Sequence, residues 1–339
     1  MMMSERSSMP LIEVVNLGVR LNTSRGPAQA VRGVSFALKR GETLGLVGES
    51  GCGKSVTALS LMGLLPDSAS VTGSIKLDGG ELAGLSDAEY CRLRGNRISM
   101  IFQEPMTALN PMHTIGNQVA EPLRRHRKFS ASQARREAIT LLDRVGLPDP
   151  ARRVDAYPHQ FSGGQRQRVT IAMALACEPD LLIADEPTTA LDVTIQGQIL
   201  DLIADLIEER GMSMILISHD LGVIAENVQR MMVMYGGTII ESGPTDEVFR
   251  RMGHPYTQGL FRARPKLGAR KGTRLTTISG TVPEPADLPS GCTFADRCPL
   301  VIEQCRAALP AMVDVGPGHF VRCIRTDVSM AERVGALTV

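Results

Sequence analysis

The 339-residue chain has no excess of charge: 37 Lys and Arg stand against 36 Asp and Glu. That balance creates no basic field and gives no reason to expect a nucleic-acid partner. It also lacks any apolar run able to cross a bilayer. The longest, such as 181–184 and 213–218, stop far short of the ~20 residues a spanning helix needs. The N-terminus, Met-Met-Met-Ser-Glu-Arg-Ser-Ser, has no apolar h-region, so no secretory signal is expected; Met1, Met2, Met3 and Met9 are all candidate starts. There is no internal repeat and no low-complexity tract. Tryptophan is absent and aromatics make up 4% of the chain, so a small Pro-rich C-terminal region needs some other staple for its core. Seven cysteines are present, at 52, 91, 177, 292, 298, 305 and 323. An odd number in an unsecreted chain argues against a disulfide framework and for free or metal-bound thiols, and a cytosolic protein is expected.

What the chain does have is the segment Gly48-Glu49-Ser50-Gly51-Cys52-Gly53-Lys54-Ser55. It follows the apolar run 43–47 and precedes a helix-like stretch at 56–62, which is the strand, glycine loop and helix context of a nucleotide triphosphate site. Glycines let the backbone curl until successive N–H groups face one centre, where the helix dipole adds positive charge. Lys54 then reaches the β- and γ-phosphates, and the Ser55 hydroxyl ligates magnesium. Cys52 reads as a small packing residue; its electropositive neighbourhood leads to the expectation of a lowered thiol pKa.

Along the chain, 11–15 and 31–38 read as short strands around the polar segment 22–27. Residues 73–79 read as strand and turn, and 98–102 as a strand. From about Glu104 to Tyr157 the character becomes helical. Ala134, Ala138, Leu141, Leu142 and Val145 fall on one helical face, which Gly146 and Pro148 terminate. The core resumes with a helix at 169–177, a strand at 181–184, a helix at 195–210 and a strand at 214–217. Those strands are continuously apolar, as suits a parallel sheet buried on both faces, and the alternation predicts an α/β fold. After about residue 250 the sequence turns Pro- and Gly-rich, predicting a small appended domain.

The strand at 181–184 ends in Asp185 and Glu186. Such a pair can hold magnesium and orient or deprotonate an attacking water. Upstream, Ser162-Gly163-Gly164-Gln165 opens a helix whose N–H groups are free to face an anion. In this company the segment resembles the signature motif of the ATP-binding cassette (ABC) family, in the order that family requires. The resemblance implies a P-loop NTPase cassette with a parallel core sheet, an antiparallel β subdomain and a helical insert near 104–160. The cassette would span 10–255, with an extension at 256–339.

By the same resemblance, Gln103 is the Q-loop glutamine near magnesium and the attacking water. Ala190-Leu-Asp192 is the D-loop, and His219 the histidine that contacts the γ-phosphate. Magnesium would lie among Ser55, Gln103 and Asp185, with Glu186 acting on water. Ser162 to Gln165 would complete the site of a second cassette, identical or homologous, in a head-to-tail dimer that ATP closes and hydrolysis releases. One departure stands out: 19–24 offers no aromatic to stack on adenine, and that contact stays unassigned.

Residues 102–111, 251–260 and 289–299 resemble the ATP-binding subunits of bacterial dipeptide and oligopeptide importers, over about residues 10–325. This implies two transmembrane permease subunits, an indirect substrate-binding protein, and a place on the cytoplasmic face of the inner membrane. Exact cargo is left open. Cys292, Cys298, Cys305 and Cys323 form C-x5-C-x6-C-x17-C. Four thiolates suit a 4Fe-4S cluster; zinc is the alternative, though its sites usually show tighter pairs. The basic run Arg124-Arg125-His126-Arg127-Lys128, followed by Arg135 and Arg136, reads as a solvated face rather than a lipid contact. The competing readings are a soluble cassette ATPase acting on nucleic acid or ribosomes, and a regulatory cassette without turnover; the neutral charge stands against the first, and intact Glu186 and His219 against the second.

Overall fold

Short apolar stretches become buried strands. The computed structural model describes residues 9–189, 191–263 and 277–326. Among these, strands run over Ile12–Thr23 (β1), Gly26–Leu38 (β2), Thr43–Val47 (β3), Ser70–Leu77 (β4), Gly80–Glu81 (β5), Ile98–Ile101 (β6), Leu181–Asp185 (β7), Ser213–Ser218 (β8), Arg230–Tyr235 (β9), Thr238–Pro244 (β10), Val313–Gly316 (β11) and His319–Val321 (β12). The chain divides into two compact units. One takes the N-terminal residues to Glu13, Ala37–Thr43 and Lys76–Leu216; the other takes Val14–Phe36, Leu44–Ile75 and the residues from Ile217 onward.

The first unit holds β6, β7 and most of β8. β6 and β7 are parallel, with Ile98 opposite Leu181 and Ile101 opposite Ala184, and β8 is the other neighbour of β7. Every residue of these three strands is buried, as their unbroken apolar sequences predict. Its principal helices cover Ile115–His126, Ala131–Arg144, Gly163–Leu175 and Val193–Arg210. The predicted apolar face is the one buried: Ala134, Ala138, Leu141, Leu142 and Val145 all face inward. Ser130 and Gln133 close the start of that helix as a capping box, and Gly146, at φ 72°, ends it. Outside, Arg135 pairs with Asp155 at 2.6 Å, both well exposed, as the solvated-face reading expects. Arg40 and Arg97 alternate with Asp78 and Asp180 in a charge network, with Arg40 to Asp78 at 2.8 Å and to Asp180 at 3.3 Å.

In the second unit β1 and β2 extend well beyond the two short strands expected there. Residues 16–23 continue β1 through the polar Asn22 and Thr23, and the turn shrinks to Ser24 and Arg25. Asn22 and Thr23 are exposed, so one face of this ribbon is solvated and polarity does not end the strand. Thr23 Oγ1 donates to Gly26 O at 2.7 Å across the turn. β3 lies parallel to β9, with Leu44 opposite Arg230 and Val47 opposite Val233. β9 and β10 form a hairpin turned by Gly236 and Gly237, both at positive φ. The C-terminal region adds to this sheet: β12 pairs antiparallel with β10, Glu241 opposite Val321, and β11 pairs with β12.

Candidate active site

The loop at Gly48–Ser55 belongs to the second unit. β3 leads in, buried from Leu44 to Val47, and a helix over Lys54–Met62 leads out. A Cβ at Gly48 would sit 2.3 Å from Met234 O and 2.6 Å from Cys52 Sγ; at Gly53, already at φ +106°, it would sit 2.7 Å from Ala30 O. No other residue fits either position. Gly53 caps the helix without a side chain, and the first helical turn carries no acidic residue to oppose an anion. Lys54 folds back over the loop, Nζ donating to Gly48 O at 2.8 Å and Glu49 O at 3.1 Å. Cys52 corrects one expectation. It is buried, and that burial pushes its thiol pKa up, outweighing the opposing pull of the Lys54 charge. The loop cysteine is a packing residue. Ser50 is exposed and Ser55 half-buried. His219, also in this unit, stands exposed just past the end of β8, and Asp220 after it caps the helix Leu221–Asn227.

The carboxylates, the glutamine and the signature belong to the first unit. β7 delivers Asp185 as a buried carboxylate at its end. Glu186 follows at φ +46°, a left-handed conformation unusual for this residue type and of the sort that collects at functional sites. Gln103 Nε2 donates to Glu186 Oε2 at 3.2 Å, and Thr189 Oγ1 donates to the same oxygen at 2.9 Å. The structure thus brings together two residues 83 positions apart that sequence reasoning assigned to one step. Ser162 caps the helix Gly163–Leu175 in a reciprocal box with Gln165. Gly164 is close-packed, since a Cβ there would stand 3.0 Å from Ile195 Cγ2. Asp192 caps the helix Val193–Arg210 by accepting from Ile195 N at 3.1 Å. Ala190 lies outside the described residues.

Residues 31–189 match the family model described as ABC transporter, and residues 240–305 match the one described as Oligopeptide/dipeptide transporter, C-terminal region. A putative peptide import ATP-binding protein of Brucella melitensis is 53% identical over 331 residues, covering 94% of this chain and 98% of its own. The chain belongs to the ABC family. A dipeptide transport ATP-binding protein, DppD, of Bacillus subtilis is 52% identical over 315 residues, covering 92% of this cassette chain and 94% of its own. A solved dimeric ATP-binding cassette, in a post-hydrolysis state bound to ADP and phosphate, superposes with TM-score 0.62 at 29% identity, covering 69% of this chain and 98% of its own. The fold is that of an ABC ATPase, and ATP hydrolysis is its activity. Among the described residues no helix is long and apolar enough to cross a membrane.

Three residues that the sequence reading passed over touch the cassette's motifs. Thr189 is one. The others are Tyr256, whose hydroxyl accepts from Glu49 N at 2.8 Å, and Arg297, whose guanidinium grips the Glu49 carboxylate at 2.7 and 3.1 Å. Arg297 immediately precedes Cys298, yet neither spacing nor periodicity announces a partner so distant in sequence. Cys292, Cys298, Cys305 and Cys323 line one small cavity together with His254. Burial holds the Cys292 thiol up to about 11 and the Cys298 thiol up to about 12. The donor set suits a metal centre. The spacing does not: among the described residues no three His, Cys, Asp or Glu are grouped to hold a metal ion.

Proposed function

We propose that this chain is the ATP-hydrolysing subunit of a peptide importer. It pairs head to tail with a second cassette and docks on two membrane permease subunits at the cytoplasmic face of the inner membrane. The match of residues 240–305 to the oligopeptide/dipeptide transporter C-terminal region carries this reading, because that segment lies beyond the residues 31–189 that match the general ABC transporter model. Relatives named for peptide import and spanning almost their whole length support it.

In this reading Lys54 and the loop amides hold the β- and γ-phosphates, and His219 contacts the γ-phosphate. Ser55, Asp185 and Gln103 are the magnesium-side residues; a bound magnesium neutralises charge on the transferring phosphoryl group. The buried Asp185 carboxylate at a strand end is a donor of the kind that ion takes. Glu186 orients and deprotonates the attacking water, its carboxylate held in one pose by Gln103 and Thr189. Ser162, Gly163, Gly164 and Gln165 serve the partner cassette's nucleotide, with Asp192 beside the dimer junction. Glu186→Gln is expected to slow steady-state ATP hydrolysis at least ~100-fold while Mg-ATP still binds, leaving an ATP-bound dimer visible by size exclusion. Rapid turnover by that variant would remove Glu186 from its role.

The four-cysteine cavity is proposed to receive a metal centre, a 4Fe-4S cluster in preference to zinc, on the strength of its thiol set. Metal analysis and visible absorption of anaerobically purified protein test it; stoichiometric zinc with no iron would overturn that preference. The experiment for the whole reading is an affinity purification from native membranes in mild detergent. Two polytopic subunits and a second cassette are the expected companions. Recovery from the soluble fraction with ribosomes or nucleic acid would overturn it.

A further inference from the structure

Glu49, the second residue of the phosphate loop, is anchored three ways. Its amide donates to Tyr256 Oη at 2.8 Å, its carbonyl accepts from Lys54 Nζ at 3.1 Å, and its carboxylate takes both terminal nitrogens of Arg297. Two of the three anchors come from the C-terminal region. Arg297 is almost wholly enclosed, its side chain 5% exposed against 31% for Glu49. Its remaining donors are also used: Nε to Ser279 O at 2.8 Å, Nη1 to Tyr235 Oη at 3.3 Å and Nη2 to Gly280 O at 3.2 Å. A bidentate pair this enclosed fixes orientation as well as supplying energy, unlike an exposed one. Below it, Tyr235, Tyr256 and Phe294 pack ring against ring, with centroids 4.7 to 5.3 Å apart, and all three are buried. In a chain of 4 Tyr and 8 Phe, three rings meet under one loop.

We propose that Arg297 and Tyr256 are positioning residues for the nucleotide loop, through which the C-terminal extension sets the pose of Glu49 and hence of the amides and Lys54 that receive polyphosphate. The inference rests on 48–55 being the phosphate site. An attachment that merely glued the extension in place would bind anywhere on the surface. This one holds the loop by the residue whose carbonyl also orients Lys54. Tilting the Glu49 peptide moves the lysine's acceptor, so releasing the carboxylate lowers affinity for the phosphate chain.

The test is calorimetric titration of Mg-ATP into the full-length protein and its variants Arg297→Gln, Arg297→Lys, Glu49→Gln and Arg297→Gln/Glu49→Gln, with Lys54→Ala as reference. Each neutralising single variant is expected to weaken Mg-ATP on the order of tenfold, the double variant to lose no more than the singles, and Arg297→Lys to recover part of the loss. With the partner cassette present, KM for ATP rises while kcat stays within about twofold, a split that general loss of folded protein does not produce. Should Arg297→Gln fail to fold, Arg297→Lys and Glu49→Gln carry the same comparison. Affinities within twofold of the parent, or losses that multiply in the double variant, overturn the proposal. Undiminished binding by Lys54→Ala overturns the phosphate-loop reading itself, and the positioning role with it.

Discussion

Two regions of this molecule are held to their own units by opposite chemistry. In the helices Ile115–His126 and Ala131–Arg144 the buried face is aliphatic, with Ile115, Val119, Leu123 and the Ala134–Val145 stripe inside, and the ion pair with Asp155 lies in water. In the C-terminal region the charge goes inside. Glu241 is fully buried in β10 and accepts from Gly253 N at 2.6 Å, His254 N at 2.8 Å, Thr257 Oγ1 at 2.6 Å and His319 at 2.7 Å. Arg297 repeats the theme on Glu49. An aliphatic face tolerates small shifts, because dispersion contacts carry little direction. A carboxylate with four donors has one good geometry, and losing it leaves several buried groups without partners. The first arrangement suits a region that adjusts, and the second a region that must hold still.

Breaking the comparison should therefore cost most at Glu241. Glu241→Ala is expected to lower stability by about 3–5 kcal/mol and to unprotect the amides of β12 in hydrogen exchange, since four donors lose their acceptor inside the protein. An unfolding midpoint close to the parent's would show that the network contributes little. On the helical side, Ile115→Val removes one buried methylene from a face able to close around it, and a loss of about 1 kcal/mol in denaturant unfolding is expected. A loss as large as that at Glu241 would abolish the contrast. Smallest is Arg135→Ala. Arg135 holds the Asp155 carboxyl below the usual carboxylate range, so the pair's contribution is present above the ordinary pKa and lost as pH falls through the lowered one. With both groups in water and screened by salt, no resolvable change in melting is expected at neutral pH and moderate ionic strength. A clear shift there would make this surface pair structural.

Much of the local structure was legible in the chain because it is written in short segments. The strand, loop and helix around 48–55, the strand ending at Asp185 and the helix start at 162–165 each occupy one short segment. The helical face at 134–145 matched residue by residue for the same reason. What stayed hidden depends on partners brought from far away. Glu241 meets His319 across 78 positions and Glu49 meets Arg297 across 248; no periodicity marks either. Nor does sequence reveal that Glu186 adopts a left-handed φ, because composition favours Gly or Asn there. Cys52 was misjudged by weighing the charge of Lys54 without the burial that outweighs it.

The added strands have a consequence apart from nucleotide chemistry. β10 would otherwise be the outermost long strand of its sheet, with Ile239 and Ile240 buried along it. By laying β12 on it and closing with the four-residue β11, the chain ends its sheet on a short strand rather than a long, sticky one. A chain cut before residue 313 would keep every nucleotide motif and still present the outer backbone groups of β10 unpaired. The extension thus also covers a strand edge that would otherwise be open to pairing.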